Sequence, residues 1–188
     1  MVPIRTTAAD RREQLRKEYW PAEPAWPGSK TKGWYPSPRT LPLTLGLLAS
    51  KELSGNQDPS RVYVELLSRH MDGGLIEMTH EDDHAYAAGY WGPRALRTWT
   101  ERMEILEKGG FIKTKAKGNR RYGYVLLVHP AVAVQKLKDQ NRLPEGWWDA
   151  YRARQIEVKE TTYDDVVRAK PAKAAKLNIA KFKKTRAS

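Results

Sequence analysis

The sequence predicts an α+β domain, mainly α with one small β-hairpin. Three observations predict it. Apolar residues recur at spacings of three and four in two separate stretches, Tyr63-Leu66-Leu67-His70 and Leu96-Trp99-Met103-Leu106, which is the period of a helix. Between Phe111 and Val128 the period falls to two: Lys113, Lys115 and Lys117 alternate with Ile112, Thr114 and Ala116, so the lysines share one face of a strand. Gly118-Asn119, in the middle of that stretch, is a hairpin turn signal.

The 188 residues carry a formal net charge of +12. That excess favours a polyanion, either nucleic acid or an anionic membrane surface. No apolar run approaches the roughly 18 residues of a spanning helix, and the lysine-rich C-terminal stretch lacks an apolar face to anchor it on lipid. No membrane partner is therefore expected. The first residues show no apolar signal region. Cysteine is absent, which excludes disulfides and thiolate metal sites. A cytoplasmic, nucleoid-associated location is expected. Seven Trp and nine Tyr stand against two Phe. Trp and Tyr combine an apolar body with a polar edge, which suits small cores and wet interfaces.

Residues 1–39 read as an arm with little core. Ala8 to Tyr19 has the composition of a short, highly charged helix. Pro21, Pro24, Pro27, Pro36 and Pro38 forbid regular helix beyond it. Trp20, Trp26 and Trp34 lie in that stretch, which either wraps over a core or docks a partner.

Thr40 as N-cap and Pro42 in the first turn open a helix that Ser54-Gly55-Asn56 ends. Leu41, Leu45, Leu48 and Ala49 form its stripe, but Leu43 and Leu47 lie off it, so it is buried on more than one side, as between the domain and a second copy. Asp58-Pro59 starts the next helix and Gly73-Gly74 stops it, with His70 a core histidine on its apolar face. Leu75 to Met78 is a short strand.

Thr79 caps an acidic helix start with Asp82 in the capping position. Ala85 and Ala88 are small enough for close helix packing, and Gly89 turns the chain. Pro93 belongs to the first turn of the following helix. Its buried stripe is Leu96, Trp99, Met103 and Leu106, and its opposite side carries Arg94, Arg97, Thr98 and Glu101. Gly109-Gly110 ends it. The return strand of the hairpin, from Arg120 to Val128, is basic and aromatic near the turn and apolar at its base.

Residues 129–160 hold two more helices. One starts at Pro130, with Ala133, Val134 and Leu137 on one face; the other runs from Trp147 to about Lys159. Residues 161–188 form a basic tail with eight Lys or Arg against two Asp, half of the net charge. Its few large apolar residues predict disorder.

The order helix, strand, acidic-start helix, glycine turn, basic helix and basic hairpin over residues 58–128 resembles a winged helix-turn-helix DNA-binding domain, here with flanking helices (residues 40–128 with the preceding helix). An alanine four residues before a turn glycine, Ala85 before Gly89, is similar to the helix-turn-helix pattern. Leu96 and Trp99 come one residue late relative to Gly89, which implies a longer turn.

The resemblance implies double-stranded DNA as partner. The helix near Pro93 would enter the major groove by its N-terminal end. Arg94 and Arg97 would pair with guanine, each worth roughly 1–3 kcal/mol of discrimination, and Thr98 would contact a base or a phosphate. The hairpin residues Lys113, Lys115, Lys117, Asn119, Arg120 and Arg121 would form a wing against the backbone. A homodimer through the Thr40 helix or the Trp147 helix is implied, as is a transcriptional regulator or a replication or partition factor of bacterial, plasmid or phage type. The competing class is a protein-interaction module that uses the same fold as a scaffold, with the Trp-rich arm as its contact.

One motif points to different chemistry. His80-Glu81-Asp82-Asp83-His84 matches H-E-x-x-H, in which two histidines on one helix face bind zinc and the Glu activates water. Two Asp in the intervening positions and no third ligand downstream make it a helix start. No metal, cofactor or catalytic residue is assigned. Phosphate-binding glycine loops and a nucleophile elbow are absent from the sequence.

Overall fold

The computed structural model describes residues 7–19, 21–22, 32–33, 35–70 and 72–168. Trp20, Trp26, Trp34 and residues 169–188 of the tail lie outside the described residues. Contacts divide the chain into Met1–Pro36 and Ser37–Ser188. In the first unit, α1 (Ala8–Tyr19) buries none of its residues. It starts with a reciprocal cap: the Thr7 N–H and hydroxyl donate to Asp10 at 2.9 and 2.6 Å, and the Asp10 N–H donates back to Thr7 Oγ1 at 3.2 Å.

The second unit is α+β. Its elements are α2 (Leu41–Leu48), α3 (Lys51–Ser54), α4 (Ser60–Arg69), β1 (Leu75–Glu77), α5 (Glu81–Ala87), α6 (Ala95–Lys108), β2 (Ile112–Lys117), β3 (Arg120–Leu127), α7 (Pro130–Asp139), α8 (Trp147–Val158) and α9 (Tyr163–Arg168). The three strands form an antiparallel sheet in the order β1-β3-β2. Its inner face carries Ile76, Ile112 and Val125, all buried. Its outer face carries two cross-strand rows, Leu75–Leu126–Lys113 and Glu77–Tyr124–Lys115.

The inner face meets a core built from Val62, Tyr63 and Leu66 of α4, Ala85 of α5, and Trp99, Met103 and Leu106 of α6. Two edge-to-face ring pairs join its parts. Tyr63 meets Phe111 at 5.5 Å and Trp99 meets Tyr122 at 5.4 Å between centroids, the geometry that the ring quadrupoles favour.

Several starts and stops differ from the sequence expectation, each for a local reason. The helix from Thr40 breaks at Ala49-Ser50, so α2 and α3 are separate. Thr40 precedes α2, but its side chain does not cap it. Its N–H and Oγ1–H instead donate to Glu160 at 2.9 and 2.6 Å, so a carboxylate 120 residues away takes up a donor at that helix start. Pro59 occupies the N-cap of α4, and Asp58 Oδ1 accepts from Ser60 N at 2.8 Å. His70 is the C-cap of α4, half-exposed, with Nδ1 2.7 Å from Leu67 O; it is not a core residue. Tyr163–Arg168 is helical within the stretch whose composition predicts disorder.

α8 reaches α2 from within the chain. Trp147 Nε1 donates to Leu43 O at 3.3 Å, and Trp147 stacks on Tyr151 at 4.9 Å. The two helices expected from sequence as alternative dimer interfaces are thus bonded to each other within one chain.

The hairpin turns on Gly118, with φ +59°, the glycine-first form of a two-residue turn. Below the turn the register shifts: Lys115 pairs with Tyr124 and Lys117 with Arg120, leaving Arg121, Tyr122 and Gly123 opposite Ala116. This bulge turns Tyr122 into the core while Arg121 stays exposed. It also brings Gly123 against the backbone of Lys117, where a Cβ would lie 2.5 Å from the Lys117 nitrogen. Gly123→Ala is expected to cost about 1–3 kcal/mol by overpacking. Gly46→Ala, with open space in an exposed turn of α2, is expected to add about 0.5–1 kcal/mol through helix propensity. Denaturant midpoints of the two variants check both signs.

His129 caps α7 by accepting the Ala131 N–H on Nδ1 at 3.2 Å. Partial desolvation holds its pKa below the ordinary value, against an opposing pull from Glu160. The acceptor role and the helix N-terminus also favour the neutral ring. The native state therefore binds fewer protons at this site than the unfolded chain. Its contribution to stability is full above the ordinary histidine range near pH 6.5 and is lost as pH falls through the lowered folded pKa. Wild type is expected to lose more stability than His129→Asn between pH 7 and pH 5, measured by denaturation across that range.

Candidate nucleic-acid interface

The helix pair α5 and α6 is joined by the turn from Ala88 to Arg94. Gly89 has φ +84°, and Tyr90 N donates back to Ala85 O at 3.0 Å. Ala85 and Ala88 are buried where the helices approach. The start of α5 lies two residues beyond Thr79: His80 is the N-cap, in extended backbone at φ −136°, outside the helix.

The H-E-x-x-H spacing therefore does not place two histidines on one helical face. His80 is exposed, and His84 is buried with Nδ1 2.9 Å from Glu65 Oε1. Glu65 also accepts from Arg69. A carboxylate this deeply buried in α4 needs such partners, and the His84 contact ties α4 to α5. Among the described residues no three His, Asp or Glu gather as metal ligands.

Helix α6 starts at Ala95, so Pro93 lies in the preceding turn and Arg94 is the N-cap residue. The buried stripe begins at Trp99. Leu96, expected to be part of it, sits in the first turn and is 37 % exposed. Arg94 and Arg97 are exposed and Thr98 half-buried. The Arg97 side chain is 81 % exposed and its Nε donates to Glu101 at 3.1 Å, one turn on. An exposed pair of this kind is worth little and can be exchanged for a phosphate or a base edge.

The hairpin residues divide by task. Lys113 and Lys115 stand on the outer face of the sheet and have no ion-pair partner among the described residues. Asn119 is exposed in the turn. Lys117 pairs with Glu77 across the Tyr124 ring, whose centroid is 5.3 Å from its nitrogen. That hydrogen bond, first among the causes, raises the Lys117 pKa and keeps it charged.

Arg121 donates to Glu104 of α6 at 2.6 Å and lies over the Tyr122 ring. Arg120 donates to the carbonyls of Met78 and Thr79 at 3.0 and 2.6 Å. It thereby fastens the hairpin to the β1–α5 connection. The expected face thus separates into three groups: Arg94 and Arg97 at the start of α6, Asn119 with Arg120 and Arg121 at the hairpin tip, and the three lysines on the outer face.

Sequence reasoning placed Glu101 on the side of Arg97 but named none of the ion pairs that Glu77, Glu101 and Glu104 make with these cations. The i,i+4 spacing of Arg97 and Glu101 was the available signal. It also missed Tyr86 and Trp91, which are 69 % and 70 % exposed and touch edge-to-face at 6.4 Å.

No family model, characterised protein or solved structure matches this chain.

Because Arg120 binds two backbone carbonyls, Arg120→Ala is expected to lower stability by on the order of 1 kcal/mol. Lys113→Ala and Lys115→Ala are expected to stay within about 0.5 kcal/mol of wild type. Thermal and denaturant unfolding of the three variants distinguishes a fastening residue from free surface cations.

Proposed function

We propose that this protein binds double-stranded DNA through a winged helix-turn-helix domain spanning α4 to β3, as a sequence-specific regulator or a replication or partition factor. One observation carries the reading. The α5–turn–α6 pair and the hairpin are fixed to a common β1-β3-β2 sheet, with Arg94 and Arg97 exposed at the first turn of α6. In this reading the start of α6 enters the major groove, where arginine forks match the acceptor pair of guanine. The hairpin turn lies along the backbone. Lys113 and Lys115 add charge that acts through phosphate, without regard to sequence. The net charge of +12 supports a polyanionic partner.

The test is selection from a pool of random duplexes at low and near-physiological salt, followed by sequencing of what is retained. An enriched motif is expected, and Arg97→Ala is expected to relax it at one position at a cost of about 1–3 kcal/mol. A Lys113/Lys115 double alanine variant is expected to weaken binding evenly across sequences and to lower the salt slope by about two. Retention without a motif would assign the charge to non-specific binding. Absence of duplex binding at low salt would leave the protein-interaction reading.

A further inference from the structure

We infer that Tyr86 and Trp91 form a stacking site for an unpaired nucleobase, so that the preferred ligand is DNA carrying a locally unpaired or extruded base. The inference rests on the DNA-binding reading and extends it to what kind of DNA is held. Tyr86 is on α5 and Trp91 in the turn before α6; about 70 % of each is open to solvent. The fold does not use them as it uses Trp99 or Tyr122, which are buried. An exposed aromatic of this size leaves apolar area in water that a partner would cover. Their contact is edge-to-face, with planes at 67°, and such a contact covers one of the four ring faces. The others remain open for a flat ligand.

The chemistry of the partner follows from the neighbours. Arg94 is three residues beyond Trp91, within about 11 Å of chain, and Ala95 N bonds Gly92 O at 3.1 Å, which keeps the turn compact. Arg94 and Arg97 are both exposed there. A flat ring bearing a phosphodiester satisfies both halves of this surface, because aromatic side chains stack on bases while Arg94 holds the adjoining phosphate and Arg97 is left to read guanine. Asp82 and Asp83 are exposed one turn back along α5 from Tyr86. They repel phosphate, so the strand is confined to the Arg94 side of the ring pair.

The experiment compares a fully paired duplex with the same duplex carrying one unpaired thymidine at its centre, each titrated against wild type, Trp91→Ala, Trp91→Phe and Arg97→Ala. Circular dichroism and melting confirm that the variants fold. Wild type is expected to bind the bulged duplex at least about 5-fold more tightly, the lower end of what one stacked base supplies. Trp91→Ala should remove that preference and Trp91→Phe retain most of it, with paired-duplex affinity changed less than about 2-fold. Equal affinity of wild type for the two duplexes, or a preference that survives Trp91→Ala, overturns the stacking site. If paired-duplex binding still depends on Arg97 in that case, the DNA-binding reading stands alone. If neither duplex binds, both fall.

Discussion

Trp99 is the constraint on which the arrangement of this domain depends. Its indole is fully buried, edge-on to Tyr122 of β3 and 6.3 Å from the ring of His84 on α5. One side chain therefore fixes α6 against both its helical neighbour and the hairpin. Burying a group of this size is worth roughly 3 kcal/mol or more, and the aromatic contacts add specificity of angle. The bulge in β3 exists within that geometry. Regular pairing beyond Lys115 would alternate side chains between faces, whereas the bulge delivers Tyr122 inward to Trp99 and leaves Arg121 outside to meet Glu104. Gly123 is what permits it, since the backbone of Lys117 occupies the place of a Cβ.

Beside Trp99 the core contains a polar pair. Glu65 and His84 are each almost fully buried, and Arg69 adds a second donor to the same carboxylate. A buried carboxylate is costly when unpaired, so this group restricts α5 to positions that keep His84 on Glu65. That restriction holds the start of α6 in place at one remove. A second restraint acts at α2, where Glu160 binds Thr40 at the helix start and Trp147 of α8 donates to the Leu43 carbonyl. Those bonds tie the C-terminal stretch back to the start of the domain.

Much of this was legible in the sequence where the signal was local. The period of Tyr63-Leu66-Leu67 located α4, that of Trp99-Met103-Leu106 located α6, and alternating lysines around Gly118-Asn119 located the hairpin. What was not legible depended on partners distant in the chain. Nothing near Thr40 identifies Glu160 as its acceptor, nothing in H-E-D-D-H shows that His84 faces Glu65, and Arg120 reads as one more basic wing residue until Met78 and Thr79 supply its carbonyls. Leu96 fits the apolar period and is exposed, because periodicity gives a face and not the depth to which each turn is covered. Tyr86 and Trp91 show the converse: Trp and Tyr suit cores and wet interfaces alike, and only the fold shows that these two are exposed.

The distribution of carboxylates decides how the basic surface can act. Glu101, Glu104 and Glu77 each hold a cation of the candidate face, so the local field there is weaker than the +12 of the whole chain implies. Exposed pairs are screened within about 8–10 Å at ordinary salt, and they contribute little to folding. In the proposed DNA-binding reading their effect would be on selectivity. A cation already paired gains less from an arbitrary phosphate than a free one does, so contacts that must break Arg97–Glu101 repay the exchange best where a bidentate acceptor replaces the carboxylate. Lys113 and Lys115, which have no such partners among the described residues, would meet any phosphate equally. If the protein binds DNA as proposed, the start of α6 would be the discriminating element and the outer face of the sheet an indifferent one, and the balance between them, more than total charge, would set the specificity.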